Sequence, residues 1–145
     1  MSLLHSSLVT SGAARAILDA SREEVEGMVD EGKLNWVFNF ACQGSRCELL
    51  RFWLLELQNP QAVRGLTLEA ALRRIIPFDH RARLKATEVS RLLDMPHPCT
   101  WKRIKRGTWE VERSKAGCWW VSIPSLKSWL SRSWLGASAL PSGRN

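Results

Sequence analysis

The feature that most constrains this chain is that it repeats itself. Residues 12–34 read GAARAILDASREEVEGMVDEGKL and residues 87–109 read TEVSRLLDMPHPCTWKRIKRGTW. An ungapped offset of 75 places Leu18 on Leu93, Asp19 on Asp94 and Gly32 on Gly107. The apolar positions follow, Ala14 with Val89, Ile17 with Leu92 and Val29 with Ile104. A chain of 145 residues fits one ordinary domain or two very small ones, and an internal repeat selects the second.

Each copy reads as helix, tight turn, helix and a glycine stop. In the second copy Thr87 caps a helix that begins at Glu88, with Val89, Leu92 and Leu93 as its apolar face. Met95-Pro96-His97-Pro98 breaks it, because proline disfavours helix at the residue before it yet suits the first turn of a new one. The next helix covers residues 98–106, and Gly107 is its left-handed terminator. In the first copy Ser21 caps the second helix, Glu24 completes a capping box, and Gly32 is the stop.

A hairpin pattern follows each glycine. Residues 34–42 run into Gly44-Ser45 and return over 47–52; residues 109–113 run into Lys115-Ala116-Gly117 and return over 118–123. Pro124-Ser125 opens a closing helix to Trp134 with Leu126, Trp129 and Leu130 on one face. Its expected counterpart in the first copy is the stretch 66–76, capped by Thr67, with Leu68, Ala71, Leu72 and Ile75 as the stripe. The expected organisation is an N-terminal domain over 1–76, a linker over 77–83, a C-terminal domain over 84–135 and a frayed tail over 136–145.

Charge separates the halves. Residues 1–75 carry 8 Lys and Arg against 9 Asp and Glu, whereas residues 76–145 carry 13 against 5. A basic half joined to a neutral one predicts a polyanionic partner for the basic half alone.

The second copy resembles the excisionase-like and MerR-like winged helix-turn-helix domains. The resemblance rests on Thr87-Glu88-Val89, on Leu92-Leu93 before the turn, and on the basic helix Trp101-Lys102-Arg103-Ile104-Lys105-Arg106 closed by Gly107. The strand Trp119-Trp120-Val121 and the closing Pro124-Ser125-Leu126-Lys127-Ser128-Trp129-Leu130 complete it. It covers about fifty residues, and His97-Pro98-Cys99 departs from the hydroxyl and basic residues usual there. The first copy resembles the same fold more weakly. The fold this implies is α+β and mostly helical: two tandem winged helix-turn-helix domains, each with a short β-hairpin wing. The implied partner is double-stranded DNA, in a small transcriptional regulator or a recombination accessory factor. So small a reading head implies a dimer or side-by-side assembly on DNA.

On the helix 98–106, Thr100, Ile104 and the stem of Arg103 are expected inward. His97, Pro98, Trp101 and Lys102 are then the base-facing set, with Lys105 and Arg106 on phosphates. Lys85 and the amides capped near Thr87 are expected to hold a further phosphate, and Arg113 and Lys115 on the wing to follow the backbone or enter the adjacent minor groove. The equivalent helix of the first copy carries Glu23, Glu24, Glu26, Asp30 and Glu31. Those carboxylates oppose phosphate contact and suit a protein surface, so a non-DNA-binding adaptor built on winged-helix domains is the alternative reading.

Eight tryptophans and no tyrosine raise base stacking on single strands. The spacings of Trp119, Trp129 and Trp134, and of Trp36 and Trp53, favour core packing instead. Cys42 and Cys47 flank a short loop, while Cys99 and Cys118 are nineteen apart without paired spacing, so reduced structural thiols, buried or half-buried, are expected rather than zinc ligands. The absence of a long apolar run and of a cationic, apolar leader predicts a cytoplasmic chain that enters no membrane. No nucleophile elbow or phosphate-cradling glycine loop occurs, so neither an enzyme nor a cofactor is expected.

Overall fold

The computed structural model describes residues 6–41, 49–78 and 80–136. Among them the chain is α+β, with strands and helices in the order β1 (Leu8–Thr10), α1 (Ser11–Leu18), α2 (Arg22–Asp30), β2 (Val37–Asn39), β3 (Leu50–Trp53), α3 (Leu54–Gln58), α4 (Pro60–Val63), α5 (Leu68–Ile75), β4 (Arg83–Lys85), α6 (Ala86–Leu92), α7 (His97–Arg106), β5 (Val111–Arg113), β6 (Trp119–Ser122) and α8 (Ile123–Ser133). The strands form two three-stranded antiparallel sheets, ordered β1-β3-β2 and β4-β6-β5.

The two copies share the order strand, helix, helix, strand, strand, helix, and their registers agree. Leu8, Val9 and Thr10 pair with Trp53, Phe52 and Arg51, as Arg83, Leu84 and Lys85 pair with Ser122, Val121 and Trp120. The special backbone positions agree too. Asp19 and Asp94 are the non-glycine residues at positive φ among those described, at 50° and 52°, and Gly32 and Gly107 lie at 79° and 75°. A short polar side chain tolerates that left-handed turn, which lets the second helix double back on the first. The offset of 75 holds as far as Asn35 and Glu110. It becomes 69 at the third strand, because the hairpin of the first copy is longer; its tip, with Cys42 and Cys47, lies outside the described residues.

Local chemistry explains the helix starts. Thr10 Oγ1 accepts from Ala13 N–H at 3.3 Å to open α1, and Ser21 and Glu24 exchange capping bonds of 3.1 and 2.8 Å to open α2. Thr67 caps α5 through a 3.1 Å bond from Ala70 N–H, as expected. Thr87 does not cap α6. That helix begins at Ala86, two residues before the expected start at Glu88, and Glu88 accepts Lys85 N–H at 2.8 Å while Arg81 grips the same carboxylate at 2.9 and 3.1 Å. Burial inside the strand pair carries Leu84 and Ala86 inward and so leaves Thr87 exposed.

The closing helix of the first copy is α3, directly after β3, and not the stretch 66–76. A repeated contact identifies it: Glu56 on α3 accepts Asn35 and Trp36 N–H at 2.9 Å each, as Ser125 on α8 accepts Glu110 N–H at 2.8 Å.

The chain divides into two compact units at other points than those expected. One is Leu8–Leu66 with the described residues from Arg132 onward; the other is Thr67–Ser131 with the described residues before Leu8. In the first unit Val9, Ala14, Val25, Leu34, Val37, Phe52 and Leu57 form the core, each large side chain contributing about 1.5–3 kcal/mol by leaving water. Trp134 and Leu135 belong here rather than to a C-terminal domain. Trp134 stacks on Trp36 at 4.8 Å, donates its indole N–H to Asn35 O at 2.8 Å, and bridges Phe38 on the edge strand β2. In the second unit α5 adds buried Ala71, Leu72 and Ile75, and Ser7 bonds to Leu92 O and Ile75 O. Residues 77–83 are no free linker, since Arg81 clamps Glu88 and Arg83 starts β4. Apart from Gly136, the expected tail lies outside the described residues.

Candidate nucleic-acid interface

Helix α7 is fixed by three inward residues. Thr100 is fully buried and its hydroxyl lies 2.7 Å from that of Ser90 on α6. Ile104 is buried beside it, and Arg103 is buried with its guanidinium 5.0 Å over the Trp129 ring. These are the three side chains the sequence pattern turned inward. His97, Pro98, Lys102, Lys105 and Arg106 are exposed on the opposite face, and Trp101 is half-buried. The helix contains no carboxylate, and its basic last turn ends at the left-handed Gly107.

Aromatic rings join this helix to the hairpin. Trp101 meets Trp119 of β6 edge-on at 5.8 Å, Lys105 Nζ lies 5.4 Å from the Trp101 ring, and the Arg113 guanidinium lies 5.6 Å from the Trp119 ring. Cations from α7 and β5 therefore stand on one continuous surface. Lys115 is exposed at the hairpin tip, where Gly117 adopts φ 88° and Ser114 N–H and hydroxyl close the turn on Cys118.

Trp119 was expected in the core and is half-exposed instead. Strand alternation explains the difference: Trp119 and Val121 share a face of β6, but Trp119 stands toward the tip, where Trp101 is the aromatic partner that covers it. Trp129 is buried, as are Trp36 and Trp53, while Trp134 is half-buried. Trp109 is buried against Trp129, edge-on at 5.4 Å, and its indole N–H is without a hydrogen-bond partner.

Lys85 does not join this surface. The same alternation puts Trp120 on the other face of the sheet, where Arg83 and Lys85 lie 4.9 and 5.5 Å from its ring and Arg83 pairs with Glu112 at 3.3 Å. The start of α6 near Thr87, proposed for a phosphate, already holds the Glu88 carboxylate. The Arg81 hydrogen bonds keep that carboxyl below the usual carboxylate range. The sequence pattern gives Arg83 no role because it lies in the expected linker; the alternation in β6 is the signal that would place it beside Trp120.

No protein-family model, curated protein or solved structure matches the chain. What the surface can do follows from its own chemistry. An exposed helix face bearing Lys102, Lys105 and Arg106, flanked by Arg113 and Lys115, has the charge needed to attract a polyanion.

The α2 face differs. Glu23, Glu24, Glu26, Asp30 and Glu31 are all exposed, as expected. Glu24 acts as a cap, and the Ser21 N–H and hydroxyl hold its carboxyl below the usual range. Glu26 pairs with Arg22 and Glu31 with Lys33, each at 3.2 Å. Among the described residues no three His, Cys, Asp or Glu side chains gather as a metal site requires, and no helix is long and apolar enough to cross a membrane. Cys99 and Cys118 are free and exposed rather than buried or half-buried as expected, because one lies in the outward first turn of α7 and the other at the hairpin turn.

Proposed function

We propose that the chain is a sequence-specific double-stranded DNA-binding protein built from two winged helix-turn-helix repeats, acting as a small transcriptional regulator or a recombination accessory factor. One observation carries this reading: the cations of α7 and of the hairpin lie on a single surface bridged by Trp101 and Trp119, while Thr100, Arg103 and Ile104 anchor the helix from behind. Such a helix enters a major groove by its N-terminal part, and a hairpin beside it follows the backbone.

On this reading His97, Pro98 and Lys102 face base edges, and Lys105, Arg106, Arg113 and Lys115 meet phosphates. Trp101 spaces helix from hairpin. The carboxylates of α2 keep the first repeat off the phosphates, and that repeat serves as a scaffold. Two chains side by side supply the length of site that one small reading head lacks.

The test is fluorescence anisotropy of the purified chain on a duplex across a salt series. Wild-type binding falls steeply with salt, and Lys102→Glu/Lys105→Glu weakens it about 100-fold or more at fixed salt. Absence of binding at low salt, or equal binding by the double variant, returns the chain to the adaptor reading.

A further inference from the structure

The second repeat carries an aromatic bridge that the first repeat does without. Trp101 on α7 and Trp119 on β6 meet edge-on at 5.8 Å, and the register of β5 on β6 sets Arg113 directly across from Trp119. The corresponding residues of the first repeat are Glu26 for Trp101, Asp30 for Lys105, Leu50 for Trp119 and Asn39 for Arg113, by the offset of 75 and the paired registers. There the angle between helix and hairpin stays open, as a cleft of about 640 Å³ beside Val29, Leu50 and Phe52. Val25, Val37 and Phe52 are buried all the same. The fold therefore closes its core without the rings, and rings and cations are absent together.

What the rings do in the second repeat follows from what they hold. Helix α7 has its own anchors in Thr100, Arg103 and Ile104. The outer half of the hairpin has none: from Glu112 to Trp120 every residue is exposed or half-buried. Trp119 against Trp101 ties that outer half to the helix. Lys105 Nζ lies 5.4 Å from the Trp101 ring and the Arg113 guanidinium 5.6 Å from the Trp119 ring, and neither cation is in an ion pair among the described residues. A ring orients a cation without cancelling its charge. Arg81 and Arg83 of the same unit are instead held on the carboxylates of Glu88 and Glu112. The bridge thus fixes the hairpin on the helix and leaves the charge on each side free for a polyanion.

We propose that Trp101 and Trp119 are positioning residues for duplex binding. By locking the hairpin to the helix they bring Arg113 and Lys115 onto the same duplex as Lys102, Lys105 and Arg106, so that the two sets of cations bind as one footprint. The rings act through the hairpin cations rather than by touching base or phosphate. The inference rests on the DNA-binding reading and adds to it an energetic dependence: the hairpin contacts count only while the bridge is intact.

The experiment is a double-mutant cycle on the full chain, read by fluorescence anisotropy on a duplex across a salt series. In the wild-type background Arg113→Ala/Lys115→Ala lowers the salt slope by about 2, as two phosphate contacts require. Trp101→Ala lowers it by nearly as much although it removes no charge, and weakens binding about 10-fold at about 0.1 M salt. On the Trp101→Ala background the Arg113→Ala/Lys115→Ala change has a further effect of about twofold or less, whereas Lys102→Ala costs the same on both backgrounds. Trp101→Phe, which keeps a ring at the junction, restores most of the slope. Trp119→Ala repeats the pattern of Trp101→Ala, so the proposal is tested even if one of the two alanine variants does not fold. Wild-type binding with an unchanged slope in both tryptophan variants, or with additive losses around the cycle, overturns the positioning role and leaves the DNA-binding reading standing. Absence of wild-type binding overturns both.

Discussion

Helices α2 and α7 occupy the same place in their repeats, yet one presents a row of carboxylates and the other a row of cations. Their entries and exits are alike. Each follows a turn in which an aspartate sits at positive φ, and each is closed by a left-handed glycine. One inner position is also alike in size, with Val25 where Thr100 stands. The outer faces share nothing. Backbone geometry and core volume are thus met by few residue types, while solvent-facing positions are free to differ. The gap between helix and hairpin follows the outer face: closed by aromatic rings where the surface is basic, open where it is acidic.

The comparison is sharpest in the core. Leu57 on α3 and Leu126 on α8 occupy equivalent buried positions, and Leu57→Ala and Leu126→Ala should each cost about 2–5 kcal/mol in denaturant unfolding. A negligible cost at Leu57 with a full cost at Leu126 would break the equivalence of the two closing helices. The turns come next. Asp19→Val and Asp94→Val force a β-branched side chain into the left-handed region, and each should cost about 1–2 kcal/mol. Unequal losses by thermal melting would mean that one repeat relaxes its turn and the other does not.

Acid separates the units by the smallest effect. Hydrogen bonds from Arg81 hold the Glu88 carboxyl below its ordinary range, so its contribution is complete above that range and is lost as pH falls through its depressed pKa. Burial raises Glu56 despite the N–H bonds from Asn35 and Trp36, so its contribution is complete below the ordinary range and declines as pH rises through its raised pKa. Lowering pH from about 6 to about 3, across the ordinary glutamate pKa of about 4.3, should therefore weaken amide protection at the start of α6 while sparing protection around Asn35 and Trp36, where protonation relieves the desolvation cost of burying Glu56. Residue-resolved hydrogen exchange, corrected for intrinsic rates, reads both; Glu88→Gln flattens the first and leaves the second. Parallel loss at both places would show that these two carboxylates do not set the acid response.

Much of this was legible in the residues. The repeat, the aspartate and glycine positions, the Ser21 and Thr67 caps, and the inward set Thr100, Arg103 and Ile104 follow from spacing, because caps, turns and helix periodicity are local. Legibility ended where a contact spans the chain. Thr87 was displaced as a cap by a carboxylate clamped from Arg81, seven residues upstream of Glu88. The short strands β1 and β4 have too few residues to signal alone and exist through pairing with β3 and β6. Lys85 and Arg83 could not be sorted onto Trp120, nor Arg113 onto Trp119, without knowing that register.

The sequence by itself determined the repeated helix-turn-helix pattern and the uneven charge, since both depend on near neighbours and on composition. Tertiary structure decided which helix closes the first repeat, that α5 joins the second unit and Trp134 the first, and that helix and hairpin cations share one surface. Those outcomes depend on which apolar faces and sheet edges are available to be covered, and short-range spacing does not encode that choice.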